Sequence, residues 1–236
     1  MNSFDPVVAV DRIDADWLTS VLTGAGRLPP QARVVDVTRQ PCGTGQLGDA
    51  YRFKLTFDPP SAGPATLVGK FASQDPTSRE FGRSSGYYRC EIGFYTRLAP
   101  GLSMSIPTAV HAALADNDTD FVLLMEDLAP ARQVDQLLGC SADESARVLE
   151  QAAALHAASW HDRDLAAQDW LRGPVGMFTQ VTDNFAGVVK AFPDLCGGLV
   201  ADSDLAEAAR LALENNDIDF DIFHQASDNR ILYLYR

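Results

Sequence analysis

The chain has 236 residues, 46% of them hydrophobic, and a formal net charge of −13. That length suits one large domain or two smaller parts, and that apolar share supports a real core. The acidic balance argues against general nucleic-acid binding, which depends on cationic surface, and says nothing about fold. No apolar run approaches the roughly 18 residues of a membrane span. Residues 1–10 show no basic region followed by an apolar stretch, so no signal peptide is expected. The cysteines, Cys42, Cys90, Cys140 and Cys196, are scattered without C-x-x-C spacing. This disfavours structural zinc and fits free thiols in a reducing cytoplasm.

In chain order, Asp14-Ala15-Asp16-Trp17-Leu18-Thr19-Ser20-Val21-Leu22 predicts a short amphipathic helix. Asp14 or Asp16 suits its start, and Gly24 or Gly26 its end. Residues 32–40 predict a strand. Gly43-Thr44-Gly45-Gln46-Leu47-Gly48 then forms a G-x-G-x-x-G pattern, which two unrelated nucleotide folds use. The residues after Gly48 decide between the two. A dinucleotide fingerprint must open into a helix whose N-terminus holds the pyrophosphate. Here Tyr51-Arg52-Phe53-Lys54-Leu55-Thr56-Phe57 alternates apolar and polar residues with period two, a strand pattern stopped by Asp58-Pro59-Pro60. The glycines are therefore expected at the tip of a hairpin, as in a loop that covers phosphates. The next strand, Thr66-Leu67-Val68-Gly69-Lys70-Phe71, carries one Lys in a mostly apolar run.

A polar stretch at 73–78 leads into a helix expected over 84–98 and closed by Pro100-Gly101. Residues 106–114 and 121–125 predict two strands joined by the turn Asp116-Asn117-Asp118-Thr119-Asp120. The first 126 residues thus read as β-rich with one long helix. Beyond Glu126-Asp127-Leu128-Ala129-Pro130 the pattern turns helical. Ser141-Ala142-Asp143-Glu144 is a capping box. It opens a helix through Trp160, with Val148, Ala152, Leu155 and Ser159 on one stripe. Residues 178–192 and 202–213 are further helix candidates. Strands first and helices after predict an α+β chain: a β-rich part at 1–126, a connector at 127–131 and a helical part at 132–236.

Phosphoryl transfer needs positioning and charge neutralisation more than covalent help. Glycines let backbone N–H groups approach phosphate oxygens with no side chain in the way. A Lys on the adjacent strand reaches the phosphates, and a helix carboxylate holds it in place. Glu91 follows Lys70 in the middle of the expected helix, with Arg79, Arg83, Arg89 and Arg97 around it. Taken singly, each feature has a plain structural use: hairpin glycines, an edge-strand lysine, a solvated carboxylate, an apolar core strand. Their conjunction in this order points to a nucleotide site.

These segments resemble the aminoglycoside phosphotransferase and choline-kinase-like superfamily, and most closely its ecdysteroid-kinase-like small-molecule kinases. The likeness runs over roughly residues 10–165. It rests on the helix at 17–22, on 43–52, on 67–70, on Tyr88-Arg89-Cys90-Glu91-Ile92-Gly93-Phe94-Tyr95, on 121–130, and on Ala154-Leu155-His156-Ala157-Ala158-Ser159-Trp160. The resemblance implies a protein-kinase-like fold, with a β-rich N-lobe at 1–126, a hinge at 127–131 and a helical C-lobe from 132. It implies ATP and Mg2+ as cofactors and transfer of the γ-phosphate to a hydroxyl of a small molecule. Gly43, Thr44, Gly45 and Gly48 would form the phosphate loop. Lys70 would bind the α/β-phosphates, with Glu91 orienting it. The backbone near Met125, Glu126 and Leu128 would meet adenine. His156 and Trp160 read as packing residues.

One motif departs from that pattern. The family's catalytic loop reads H-G-D-x-x-x-x-N, and no H-G-D occurs in this sequence. Ile218-Asp219-Phe220-Asp221 resembles the family's I-D-[FW] metal motif, which makes Asp219 the candidate magnesium ligand. His224-Gln225-Ala226-Ser227-Asp228-Asn229 has some of the right residue types at the wrong place and spacing. The expectation is therefore an incomplete C-lobe, truncated or frame-shifted, in a chain that transfers phosphate poorly by itself. The alternative is a non-catalytic, pseudokinase-like nucleotide-binding protein that works by interaction. A plain α+β domain without a nucleotide site is the third reading. A hydrolytic serine site is not expected. Nor is a two-histidine metal site, since His156 and His161 are five apart rather than four. The sequence assigns neither the acceptor nor the oligomeric state.

Overall fold

The computed structural model describes residues 4–43, 45–131 and 138–171. They belong to two compact units, one ending at Trp160 and one beginning at His161. The first unit is built on a five-stranded antiparallel sheet: β1 (Arg33–Cys42), β2 (Gly48–Asp58), β3 (Thr66–Ala72), β4 (Ala109–Leu114) and β5 (Phe121–Glu126), in spatial order β1-β2-β3-β5-β4. The α+β class expected from the sequence is the one observed.

Helix α1 (Ala15–Gly24) starts where Asp14 accepts the Trp17 N–H at 2.8 Å. Its end is marked by Gly26 in the left-handed region at φ +67°. Trp17, Leu18, Val21 and Leu22 share one stripe and are buried. They pack on one face of the sheet with Phe53, Leu55, Phe57, Leu67, Phe71 and Leu124. The other face carries a smaller core of Ala72, Tyr88, Ile92, Phe121 and Leu123. Strand β5 contributes to both, which explains its unbroken apolar run: Phe121, Val122, Leu123 and Leu124 are all buried.

The single helix expected over 84–98 is instead three pieces. Helix α2 (Pro76–Ser84) begins inside the polar stretch, because Asp75 caps it by accepting the Ser78 N–H at 2.7 Å and Pro76 stands at its first turn. Gly86, at φ +69°, breaks the path, and α3 (Tyr87–Gly93) restarts it before a π-helical segment at Phe94–Leu98. The break lets Gly82 pass against Tyr88. A Cβ on Gly82 would stand 2.3 Å from the Tyr88 ring.

Strand β4 starts at Ala109 rather than 106, and the turn before β5 forms as expected. Asn117 Oδ1 accepts the N–H groups of Thr119 and Asp120 at 3.0 and 2.9 Å. Helix α4 (Ala142–Ser159) has both arms of its capping box: Glu144 N–H donates to Ser141 Oγ, and Ser141 N–H to the Glu144 carboxylate. Of the expected stripe, Ser159 is buried and Ala152 and Leu155 are half-buried or less, while Val148 is exposed. Trp160 stands largely exposed at the C-cap. In the second unit, α5 (Arg163–Ala166) and a 3-10 turn at Asp169–Leu171 are described. The helix candidates at 178–192 and 202–213 lie outside the described residues. Among the described residues, no helix is long and apolar enough to cross a membrane.

Candidate functional site

Strand β3 alternates strictly. Leu67, Gly69 and Phe71 face the α1 core, so Lys70 is turned to the opposite face, where α3 lies. There Lys70 Nζ donates to Glu91 Oε1 at 2.7 Å. Both side chains keep about a third of their surface, 33% and 27%. The two residues are 21 apart in sequence, and strand and helix bring them together as the sequence pattern predicts.

The glycine segment joins β1 to β2, with Cys42 opposite Ala50 in the ladder. Gly43 is in the left-handed region at φ +78°. A Cβ on Gly45 would stand 2.9 Å from the Gly48 carbonyl oxygen. A Cβ on Gly48 would meet the Phe71 carbonyl oxygen at 2.9 Å and Lys70 Cε at 3.2 Å. Thus the loop backbone lies directly on the stem of Lys70, and the absence of a side chain at Gly48 is what permits it. Two further bonds hold this end of the loop. Asp49 Oδ2 accepts the Gln74 N–H at 2.9 Å, and the Tyr88 hydroxyl donates to the Leu47 carbonyl at 2.7 Å. Thr44 lies outside the described residues.

Along β5, Met125 pairs with Val68 and Glu126 with Leu67, so both lie a few residues along the sheet from Lys70. Met125 is half-buried against the smaller core. The Glu126 carboxylate turns toward β4 and α1: it accepts the Thr108 N–H at 3.2 Å and lies 3.8 Å from Arg27. Leu128 is exposed. Between them stands a residue that no local pattern singles out. The Asp127 side chain is only 3% exposed, and Arg52 of β2 grips it with two hydrogen bonds of 2.7 and 3.1 Å. Burial pushes the Asp127 carboxyl up. The bonds from Arg52, the Ala129 N–H and Thr66 outweigh that and hold it below the usual carboxylate range. Beside this pair, burial pushes the Cys42 thiol up.

The basic cluster around Glu91 is partly engaged elsewhere. Arg79 pairs with Asp120 and donates to the Ser73 carbonyl, and Arg83 pairs with Glu80. The sequence also contains one G-x-S-x-G match, Gly82-Arg83-Ser84-Ser85-Gly86. A hydrolase nucleophile needs a strand-to-helix elbow, whereas Ser84 ends one helix before another and donates to the Phe81 carbonyl at 3.3 Å. Among the described residues, no group of three or more His, Cys, Asp or Glu is placed to hold a metal ion. Asp219 lies outside the described residues.

An antiparallel sheet with a glycine-rich hairpin, a strand lysine and a helix glutamate paired to it defines a kinase-like α+β protein. Residues 47–194 match the ecdysteroid kinase-like family, and with more than half its length matched the chain belongs to that family. The match begins inside the glycine segment and takes in Lys70, Glu91 and 125–128, while Gly43 and Gly45 precede it. The family places the chain among kinase-like small-molecule phosphotransferases. No curated protein matches the chain.

Proposed function

We propose that this chain binds MgATP on the face of the sheet that carries Lys70, and that it serves transfer of the γ-phosphate to a small-molecule hydroxyl. The observation that carries this reading is the Lys70–Glu91 pair at 2.7 Å, directly beneath Gly48. A fixed cation beside backbone that has no room for a side chain suits a polyphosphate. In this reading Gly43, Thr44, Gly45 and Gly48 cover the phosphates and Lys70 neutralises the α/β-phosphates. The backbone at Met125, Glu126 and Leu128 meets adenine, and Asp219 is the candidate magnesium ligand. Residues 1–126 act as the N-lobe, 127–131 as the hinge and 132–236 as the C-lobe. The described cysteines, Cys42, Cys90 and Cys140, form no disulfide, which supports a reducing, cytoplasmic setting.

A second reading is favoured by one observation, the lack of an H-G-D segment in the sequence. It makes the chain a nucleotide-binding protein without turnover. Titration of the whole chain with MgATP, followed by phosphate transfer assayed against a panel of hydroxyl acceptors, separates the two. Binding with transfer supports the phosphotransferase, and binding without transfer supports the second reading. Lys70→Ala should weaken MgATP affinity by about tenfold or more, the scale of a charge-assisted contact. Equal affinity in both proteins would sink the site.

A further inference from the structure

Helix α3 presents two side chains to the candidate site, one turn apart. Glu91 reaches Lys70, and Tyr88, three residues earlier, reaches the glycine segment. Tyr88 is 2% exposed. Its ring packs on Phe121 with centroids 5.0 Å apart, and the bare backbone of Gly82 closes its other side. The ring therefore has one place to go, and its hydroxyl stands where it donates to the Leu47 carbonyl at 2.7 Å. One oxygen thus ties the loop to α3.

We infer that Tyr88 is a positioning residue that sets the height of the glycine loop from the same helix that positions Lys70, so that the loop and the lysine meet a polyphosphate as one unit. The inference rests on the nucleotide-binding reading above for its ligand, but its geometry belongs to the protein alone. The loop has few other anchors at this point: Gly48 enters the β2–β3 ladder opposite Ala72, and Asp49 holds Gln74. Without the hydroxyl, the ring and its packing remain, and only the tether to Leu47 is gone.

The test compares the full chain with Tyr88→Phe, and with Tyr87→Phe as a control from the exposed side of the same helix. Calorimetry gives affinities for MgATP, MgADP and adenosine, and hydrogen exchange in the free protein follows the amides of 45–49. Tyr88→Phe should weaken MgATP and MgADP about three- to tenfold, the loss that goes with one neutral hydrogen bond. Adenosine binding should stay unchanged, because the loop faces phosphates rather than the base. Exchange at 45–49 should quicken while the rest of the sheet keeps its protection. A general loss of fit would instead weaken all three ligands alike, and that result overturns the inference. So does a variant that matches the wild type in both affinity and exchange. If the wild type binds no nucleotide, the nucleotide reading fails separately. Faster exchange at 45–49 would then still support Tyr88 as the loop's tether, and unchanged exchange would overturn it.

Discussion

Arg52 closes on Asp127 across 75 residues of sequence, with Nε to Oδ2 at 2.7 Å and Nη2 to Oδ1 at 3.1 Å. The pair fastens the segment after β5 to the second strand of the sheet. Because the Asp127 side chain is 3% exposed, removing its partner strands a buried charge. Arg52→Met should destabilise the protein, though by less than breaking a fully buried pair would, because Arg52 keeps solvent contact. The double variant Arg52→Met/Asp127→Leu should lose less than the sum of the single losses. Urea titration of the four proteins checks this, and additive losses would remove the pair from the account.

The same carboxyl makes stability pH-dependent. Its folded-state pKa lies below the usual range, so the unfolded chain takes up its proton first as the pH falls. The stabilisation is complete above the unfolded value of about 4 and is lost as the pH drops through the folded one. Asp75, through hydrogen bonds from Ser78, and Glu80, through Arg83, are lowered too and act in the same direction. Asp127→Asn should start less stable at neutral pH and then lose less than the wild type on acidification. Urea midpoints at neutral and acid pH decide it, and parallel curves would refute it.

Glu91 should act only through Lys70. Glu91→Ala is expected to weaken MgATP binding, and Lys70→Ala/Glu91→Ala should be no weaker than Lys70→Ala alone. Both side chains remain partly solvated, so the stability loss should stay under about 1 kcal/mol. A double variant that sums the single effects would break the pairing.

Two glycines in neighbouring strands should fail differently. At Gly69 a Cβ would meet Phe53 at 2.7 Å and Leu124 at 2.8 Å inside the larger core. Gly69→Ala should therefore cost about 1–3 kcal/mol by overpacking. At Gly48 the obstacle is the Phe71 carbonyl, which no rotamer change can move aside. Gly48→Ala should lift the loop from Lys70 and reduce MgATP affinity. Thermal melts and calorimetry on both variants test the contrast. Equal affinity losses would contradict it.

Ser141→Ala should destabilise α4 by about 1 kcal/mol through loss of its cap. It should leave MgATP affinity unchanged, because the cap's bonds stay within residues 141–144. Circular dichroism melts and a binding titration measure the two outcomes. Lost affinity would show that the helix start reaches the site.

Short spacing is what made much of this fold legible in the sequence. Period-two alternation marks β2 and β3, an Asp cap marks α1, and a capping box marks α4. Lys70 and Glu91 are legible because strand and helix each fix which way a side chain points. The start of α2 is hidden because Asp75-Pro76 reads as loop chemistry until the Ser78 N–H is seen to be capped. The division of the helix at Gly86 depends on a left-handed backbone that one glycine allows but does not demand. Arg52 and Asp127 carry no signal, since nothing local relates residues so far apart. Tyr88 does carry one: it sits one helical turn before Glu91, on the same face.

Lys70 stands opposite Ala50 on one side and Leu123 on the other, while Gly48 stands opposite Ala72. The parts of the candidate site are thus written on three adjacent strands in a fixed count. One residue added or lost within β2, β3 or β5 would turn Lys70 from α3 into the apolar face or set the glycines against the wrong neighbour. Lengthening the connections at 59–65 or 115–120 would disturb none of these pairings. The architecture thus predicts where length can drift over evolutionary time: in those two turns, while the strands themselves admit exchange of side chains but no change in number.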